Sequence, residues 1–301
     1  MLRDFEELVR IVRQKPDRKR IVLACAHDEH SLDAVYEAYK NNIANPILVG
    51  REKEIRKLME EHGFYFGGEE VIYDADDDIE TAKIAVSLIR EGKGDFLMKG
   101  KMQTADLLKQ VVNKETGLQS GSIMSHVAIF EIPSYHKLVI ETDGGMLLTP
   151  DAEQKTFIIN NAVSALRNIG YEKPKVAVLC GAEILNPKAP ESVDAAELKN
   201  RYLNGEIKDC IVEGPISYDI ALSKEIADFK SFQSPVAGDA DILVVPNMAA
   251  GNILGKSWTI TAGATMAGII VGAKAPIVLT SRGASAQEKY YSIVFAAAAS
   301  N

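Results

Sequence analysis

The strongest constraint on the fold of this chain is a rhythm. Short apolar runs alternate with longer segments of helical spacing. Ile21–Cys25, Pro46–Gly50, Val71–Tyr73 and Asp95–Met98 are the runs, and Ser31–Asn41, Glu52–His62 and Ile79–Glu91 the helical segments between them. Strands separated by helices of ten or more residues build βαβ units around a mostly parallel sheet. A surface helix over residues 2–14, with Leu2, Phe5, Leu8, Val9 and Val12 on its apolar face, opens the series.

At Ser125 the rhythm changes. His126–Phe130 and Lys137–Ile140 read as an antiparallel pair joined by a turn at Pro133, which puts a domain border just before them. Alternation then resumes. The expected order is helix Glu153–Ile169, strand Val176–Leu179, helix Asp194–Leu203, strand Asp209–Val212, helix Ser217–Ala227 and strand Asp241–Val245. An apolar helix from about Thr259 to Val271, the strand Ile277–Thr280 and the helix Ala286–Ala299 complete it. The expected domains are 1–124 plus 283–301, and 125–282.

With 301 residues, 47% of them hydrophobic, the chain can bury a large core. A net charge of −8 argues against nucleic-acid binding, which calls for a basic face. The longest apolar candidate for a membrane span, residues 260–271, is too short and glycine-rich. Residues 1–7 carry acids where a signal peptide needs a basic and then an apolar stretch. Cys25, Cys180 and Cys210 are odd in number and sit in or beside apolar runs, as buried free thiols do. A cytoplasmic protein is expected.

Candidate chemistry lies in the segments that follow strands. After Ile277–Thr280 come Ser281, Arg282 and Gly283, then Ser285 and Glu288 at capping-box spacing. A hydroxyl and a guanidinium beside a helix N-terminus suit a phosphate, although Ser-Arg-Gly taken alone reads more readily as a capped surface turn with a solvated arginine. Lys99-Gly100-Lys101 follows an earlier strand, a small cationic pocket or a solvated basic turn. Thr142-Asp143-Gly144-Gly145 closes another, as a tight turn or as backbone passing close to a ligand. Glu183, Asn186 and Pro187 are ambiguous in the same way. His27-Asp28-Glu29-His30 invites a metal reading, but Asp28 or Ser31 at a strand-to-helix junction more readily caps a helix, and no metal is expected. Ala250–Ser257 satisfies a relaxed P-loop pattern, yet Asn252, Ile253 and Leu254 are bulky where consecutive N–H groups must wrap a phosphate. It is read as a decoy for nucleotide hydrolysis that could still offer a loop-to-helix anion site.

Taken in order, several fragments resemble the phosphate acetyl/butyryltransferase family. They are Lys99-Gly100 with Thr104–Leu108, Thr142–Gly145, Glu183 with Asn186–Lys188 and Val193–Ala195, Gly214–Asp219, Asp239–Pro246 with Gly251–Ile253 and Lys256, and Leu279–Gly283. The resemblance implies two α/β/α domains like those of isocitrate and isopropylmalate dehydrogenases, with a cleft between them, in a homodimer. It implies exchange of acyl-CoA and phosphate for acyl phosphate and CoA, by direct attack of the CoA thiol in a ternary complex. Butyryl or a similar short or branched acyl group is expected, with acetyl as the alternative.

The same resemblance assigns residues. Ser281 stabilises developing charge, Arg282 grips phosphate, and Glu288 stands where the acetyltransferase branch has an aspartate base. Lys99, Lys101, Thr104, Lys109, Asp143, Gly144, Asn252, Lys256 and Gly283 would bind CoA or phosphate. Lys109 is the cation near a position where the acetyltransferase branch has an arginine. CoA and phosphate are substrates, so no cofactor is expected. Two readings compete. A metal- and nicotinamide-dependent dehydrogenase would need an aspartate cluster, for which Asp239 and Asp241 are poorly placed. A non-catalytic acyl-CoA-binding regulatory module would not need Ser281 and Arg282.

Overall fold

The computed structural model describes residues 1–281 and 283–300. In chain order the elements are α1 (Phe5–Arg13), β1 (Lys19–Ala24), α2 (Glu29–Lys40), β2 (Ala44–Gly50), α3 (Glu52–His62), β3 (Val71–Asp74), α4 (Asp78–Arg90), β4 (Phe96–Lys99) and α5 (Thr104–Val111). Then follow β5 (Ser125–Glu131), β6 (Val139–Thr142), α6 (Ala152–Asn168), β7 (Lys175–Leu179), α7 (Pro190–Leu203), β8 (Ile211–Ile216), α8 (Tyr218–Leu222) and α9 (Lys224–Phe229). Last come β9 (Ile242–Val244), α10 (Met248–Thr261), β10 (Thr265–Val271), β11 (Ile277–Val278) and α11 (Ala286–Ala299). The fold is α/β, and the chain forms two units: Phe5–Ser122 with Ala267–Asn301, and Met1–Asp4 with Ile123–Met266.

In the first unit the strands lie in the order β3-β2-β1-β4-β11-β10. All neighbours are parallel except β10 and β11, which pair antiparallel through Ile270 and Ile277. Ile21–Ala24 on β1 and all of β4 are buried, as strands covered by helices on both faces must be. β3 sits at the edge and is partly exposed. The chain leaves β1 towards β2 on one side and returns to β4 on the other. This reversal opens a crevice beyond the carboxyl ends of β1 and β4. The closing helix α11 is buried from Tyr291 to Ala299 and packs on α1 and α2, with Phe5 and Tyr291 stacked at 4.3 Å. A helix apolar on all sides belongs in a core.

Residues 267–282, expected in the second domain, fall in this first unit. Ile277 and Val278 pair with Leu97 and Met98 of β4, which draws the chain back well before residue 283. The helix expected from about Thr259 to Val271 is also corrected. The helix spans Met248–Thr261, Gly263 at φ 67° ends it, and the β-branched Ile269, Ile270 and Val271 extend as β10.

The second unit has the order β5-β6-β9-β7-β8. As expected, β5 and β6 are antiparallel, with Ala128 opposite Glu141 and Phe130 opposite Val139; the remaining pairs are parallel. Phe130 and Trp258 meet edge to face at 4.8 Å in its core, and Trp258 donates to Tyr218 Oη at 2.9 Å. The helix expected at Ser217–Ala227 is two short helices, because Ser223 takes extended geometry and its Oγ accepts from Ile226 N to start α9. Asp239 and Asp241 bind Lys137 and Lys175, and Lys137 is buried between them. Burial works against the Asp239 charge, but hydrogen bonds from the lysines hold its carboxyl at about 2. These acids tie together the starts of β6, β7 and β9.

Candidate active site

The crevice at the reversal point of the first unit holds a cavity of about 450 Å³. Each wall follows a strand. Asp28, His30 and Ser31 come after β1, Asp78 after β3, Lys99–Gln103 at the end of β4, and Thr280 and Ser281 after β11; Lys289 of α11 completes it. Two features shape the floor. Gly100 N donates to Ala24 O at 2.7 Å, and no side chain fits at residue 100 because Cys25 O and Ala24 O occupy its place. Asp28 caps α2 by accepting from Ser31 N at 3.2 Å and from the Ser31 hydroxyl, so its position in the cavity wall is fixed.

Three lysines reach this cavity. Lys99 is buried and its Nζ donates to Gly100 O at 3.1 Å and Met102 O at 3.2 Å, which holds the ammonium at the end of β4. Lys289 is also buried, while Lys101 is exposed. Asp28 and Asp78 line the same cavity, so its three ammonium groups and serine hydroxyl leave a small excess of positive charge that suits an anion. Ser281 is exposed at its rim, and Ser281 O accepts from Ala284 N at 3.2 Å. Arg282 lies outside the described residues.

Glu288 stands in the first turn of α11, next to Lys289. Ser285 caps this helix, its Oγ accepting from Glu288 N at 3.1 Å. Burial raises the Glu288 carboxyl above its ordinary value, against the opposing effects of Lys289 and the Ser285 N–H. A carboxylate with a raised pKa is a stronger base than one in water.

The second unit carries a different polar cluster. Asp143 is buried and accepts from Gly145 N and Met146 N at 2.8 Å and from Leu147 N at 3.3 Å. Its carboxylate is therefore engaged in shaping the loop. Glu141 is buried beside Gly144 and Gly251, and burial, then the Asp143 charge, push its carboxyl up to about 8. Burial pushes His126 below its ordinary value, opposed by Asp143. Neither Glu141 Oε1 nor His126 Nδ1 has a hydrogen-bond partner among the described residues. Asn252 Nδ2 donates to Gly144 O at 3.4 Å, and Lys256 is exposed one turn further along α10.

Residues 5–82 and 74–297 match the family described as phosphate acetyl/butaryl transferase. The chain belongs to that family. Its relatives in it include a phosphate butyryltransferase of Clostridium acetobutylicum, 42% identical over 99% of this chain and 98% of the relative. A phosphate acetyltransferase of Thermotoga maritima is 41% identical over 97% of this chain and 98% of its own length. Among solved structures, a branched-chain phosphotransacylase from Enterococcus faecalis V583 superposes with a TM-score of 0.83 at 34% identity, covering 93% of this chain and 98% of that one. The protein is a member of a family of acyl-transferring enzymes, and no helix among the described residues is long and apolar enough to cross a membrane.

Of the residues that the family resemblance singles out, Lys99, Lys101 and Ser281 line one cavity. Gly283 lies in the exposed turn after Ser281. Thr104 and Lys109 do not line it. Thr104 opens α5 and Lys109 is exposed in its last turn. Asp143, Gly144 and Asn252 form the separate cluster of the second unit. Ala250–Ser257 lies wholly within α10, capped by Asn247, so it offers no phosphate-wrapping loop. Glu183 is a clasp, accepting from the Ser217 hydroxyl at 2.5 Å and from Lys230 at 3.0 Å. Sequence reasoning missed Lys289, Asp78 and Gln103. Lys289 follows Glu288 directly and would have been found by asking which side chain adjoins the capped N-terminus of α11.

Proposed function

We propose that the protein catalyses acyl-CoA + phosphate ⇌ acyl phosphate + CoA on a short acyl group, with butyryl or a branched four-carbon group preferred. The observation that carries this reading is the cavity where Lys99, Lys101 and Lys289 converge with Ser281 at strand ends. In the direction of CoA acylation, the thiol sulfur attacks the acyl-phosphate carbonyl. A C–S bond forms, the C–O bond to phosphate breaks, and phosphate leaves with the bonding pair. The thiol proton passes to Glu288, whose raised affinity for protons suits it as acceptor. The Ser281 hydroxyl donates to the oxygen that gains charge. The lysines compensate the charge of the departing phosphate, and Arg282 is assigned to grip it in a bidentate manner.

The butyryl preference is supported by the Clostridium relative and by the branched-chain specificity in the name of the Enterococcus structure. Acetyl is a second reading, favoured by the almost equal identity to the Thermotoga acetyltransferase. One methylene in an apolar pocket is worth only about 1–3 kcal/mol, so overall identity does not separate the two. A homodimer working in a reducing compartment completes the proposal; Cys25, Cys180 and Cys210 are all buried free thiols.

The test is release of free thiol from acetyl-, propionyl-, butyryl- and isobutyryl-CoA with and without phosphate, with light scattering for the mass in solution. Phosphate-dependent release, fastest with a four-carbon acyl group, supports the proposal. Fastest release from acetyl-CoA moves the preference to acetyl. Binding of acyl-CoA without release overturns catalysis in favour of a regulatory module.

A further inference from the structure

Beside the cavity lies a group of side chains that acyl transfer does not use. Cys25 directly follows β1, His27 comes two residues later, and Asp78 opens α4. A ligand atom of each, the Cys25 sulfur, an imidazole nitrogen of His27 and a carboxylate oxygen of Asp78, lies within 4.8 Å of the other two. We propose that Cys25, His27 and Asp78 form a binding site for a borderline-soft divalent metal ion of the Zn²⁺ class, with a fourth position left for water or a small ligand.

Four observations carry the proposal. First, Cys25 Sγ lies 3.5 Å from Asp78 Oδ1. A tetrahedral ion bound at about 2.3 Å from sulfur and about 2.0 Å from oxygen puts those two atoms about 3.5 Å apart. Second, His27 Nδ1 is buried and has no hydrogen-bond partner among the described residues. An orphaned buried nitrogen is costly and calls for a partner. Third, Gly50, at φ 143°, stands against that nitrogen, where a Cβ would come within 2.9 Å of it. Any side chain at residue 50 would crowd the imidazole. Fourth, Cys25 has φ 57°, a left-handed geometry that a residue with a side chain adopts at a cost. This bend brings the thiol and the imidazole to one place.

The donor set selects the ion. One thiolate, one imidazole and one carboxylate are too soft for Mg²⁺ or Ca²⁺ and suit Zn²⁺ or Co²⁺. Binding replaces the proton that Cys25 now directs at Asp78; a sulfur–metal bond forms and one proton leaves to solvent. Arg51 and Lys101 act on His27 against a cation there, whereas Glu54 and Asp78 favour one. Asp78 also lines the cavity with Lys99 and Ser281, so an ion at this site would alter one of its walls.

The experiment is titration of the chelator-treated protein with Co²⁺, read by visible and near-ultraviolet absorption. One equivalent should give a thiolate-to-cobalt charge-transfer band with the visible bands of tetrahedral cobalt. Zn²⁺ should displace it and Mg²⁺ should not. The band should persist in the Cys180→Ser/Cys210→Ser double variant, vanish in Cys25→Ser, and need tenfold or more Co²⁺ in His27→Gln or Asp78→Asn. Absence of the band in the parent protein, or its survival in Cys25→Ser, overturns the proposal. If Cys25→Ser fails to fold by circular dichroism, an unchanged titration of His27→Gln overturns it equally. None of these readings depends on acyl transfer, so the test is independent of the proposed reaction.

Discussion

Glu141 and Gly251 are pressed together: a carboxylate oxygen of Glu141 occupies the place where a side chain on residue 251 would begin. Gly144 Cα at 2.8 Å and Val245 Cγ2 at 2.9 Å close the other sides. The first turn of α10 thus rests directly on the end of β6. Replacing a helical glycine with alanine ordinarily stabilises by about 1 kcal/mol. Here the methyl group has no room, and overpacking costs about 1–3 kcal/mol. Gly251→Ala should lower Tm by several degrees in calorimetry; a rise would show that this contact is loose.

Glu141 also predicts a pH dependence of stability. Its carboxyl is raised to about 8 in the folded protein by burial and by Asp143, above the ordinary value of about 4.3 that it has in an unfolded chain. Between those values the folded state holds the proton and the unfolded state does not. Raising the pH through this window therefore weakens folding, by at most about 1.4 kcal/mol per pH unit from this one group. Denaturant unfolding at several pH values from 5 to 8 should show a shallower decline in Glu141→Gln than in the parent, and equal slopes would remove Glu141 from the account.

Ser281 is exposed at the rim of the cavity, so Ser281→Ala should leave stability within about 0.5 kcal/mol of the parent. Losing a donor to a charged transition state typically lowers turnover by about 10²–10³-fold. Steady-state kinetics should show that drop in kcat with little change in the KM for CoA. An unchanged kcat would take the hydroxyl out of the reaction.

Glu288 should set the acidic limb of the rate profile for attack by the CoA thiol. A base works only when ionised, so kcat/KM should rise with pH through a value above the ordinary glutamate range. Glu288→Gln should lose about 10²–10⁴-fold in rate together with that limb, and Glu288→Asp should recover part of both. Retention of the limb in Glu288→Gln would assign the proton acceptor elsewhere.

At the cavity floor, Gly100→Ala would drive a methyl group into the backbone of β1, where Ala24 O is 2.7 Å and Cys25 C 3.0 Å from its position. Backbone cannot swing aside as a side chain can. The variant should be less stable by about 1–3 kcal/mol, and it should raise the KM for phosphate because Lys99 and Lys101 flank the displaced residue. Normal phosphate dependence would place the anion away from these lysines.

The sequence made the parallel strands legible because βαβ periodicity is a local signal. Ile21–Cys25 and Asp95–Met98 could be read as strands without knowing that they pair. The hairpin of β5 and β6 was legible from Pro133 and two short apolar runs. Thr265–Val271 was misread because an apolar run beside a helix has no period to separate it from that helix; Gly263 was the missed stop. The early return of the chain at Ala267 depends on pairing of Ile277 with Leu97, a contact 180 residues apart that no local pattern encodes. The lining of the cavity was legible where it follows strands, at Lys99, Lys101 and Ser281. Asp78 and Lys289 were not, since they reach the cavity from helices whose positions only the finished sheet defines.

Insertion of residues 123–266 between β4 and its partner β11 has a consequence for biosynthesis. During translation β1 to β4 emerge long before β11. Until residues 267–300 arrive, the growing chain presents the rim of β4 with its ladder half made. Such a rim recruits any extended peptide that passes, so the nascent protein needs shielding through this interval. Because Thr280, Ser281 and Lys289 lie after residue 267, completion of the cavity coincides with disappearance of that hazard. A chain synthesised only as far as residue 266 would be both inactive and sticky, and residues 267–300 cure both defects in one step.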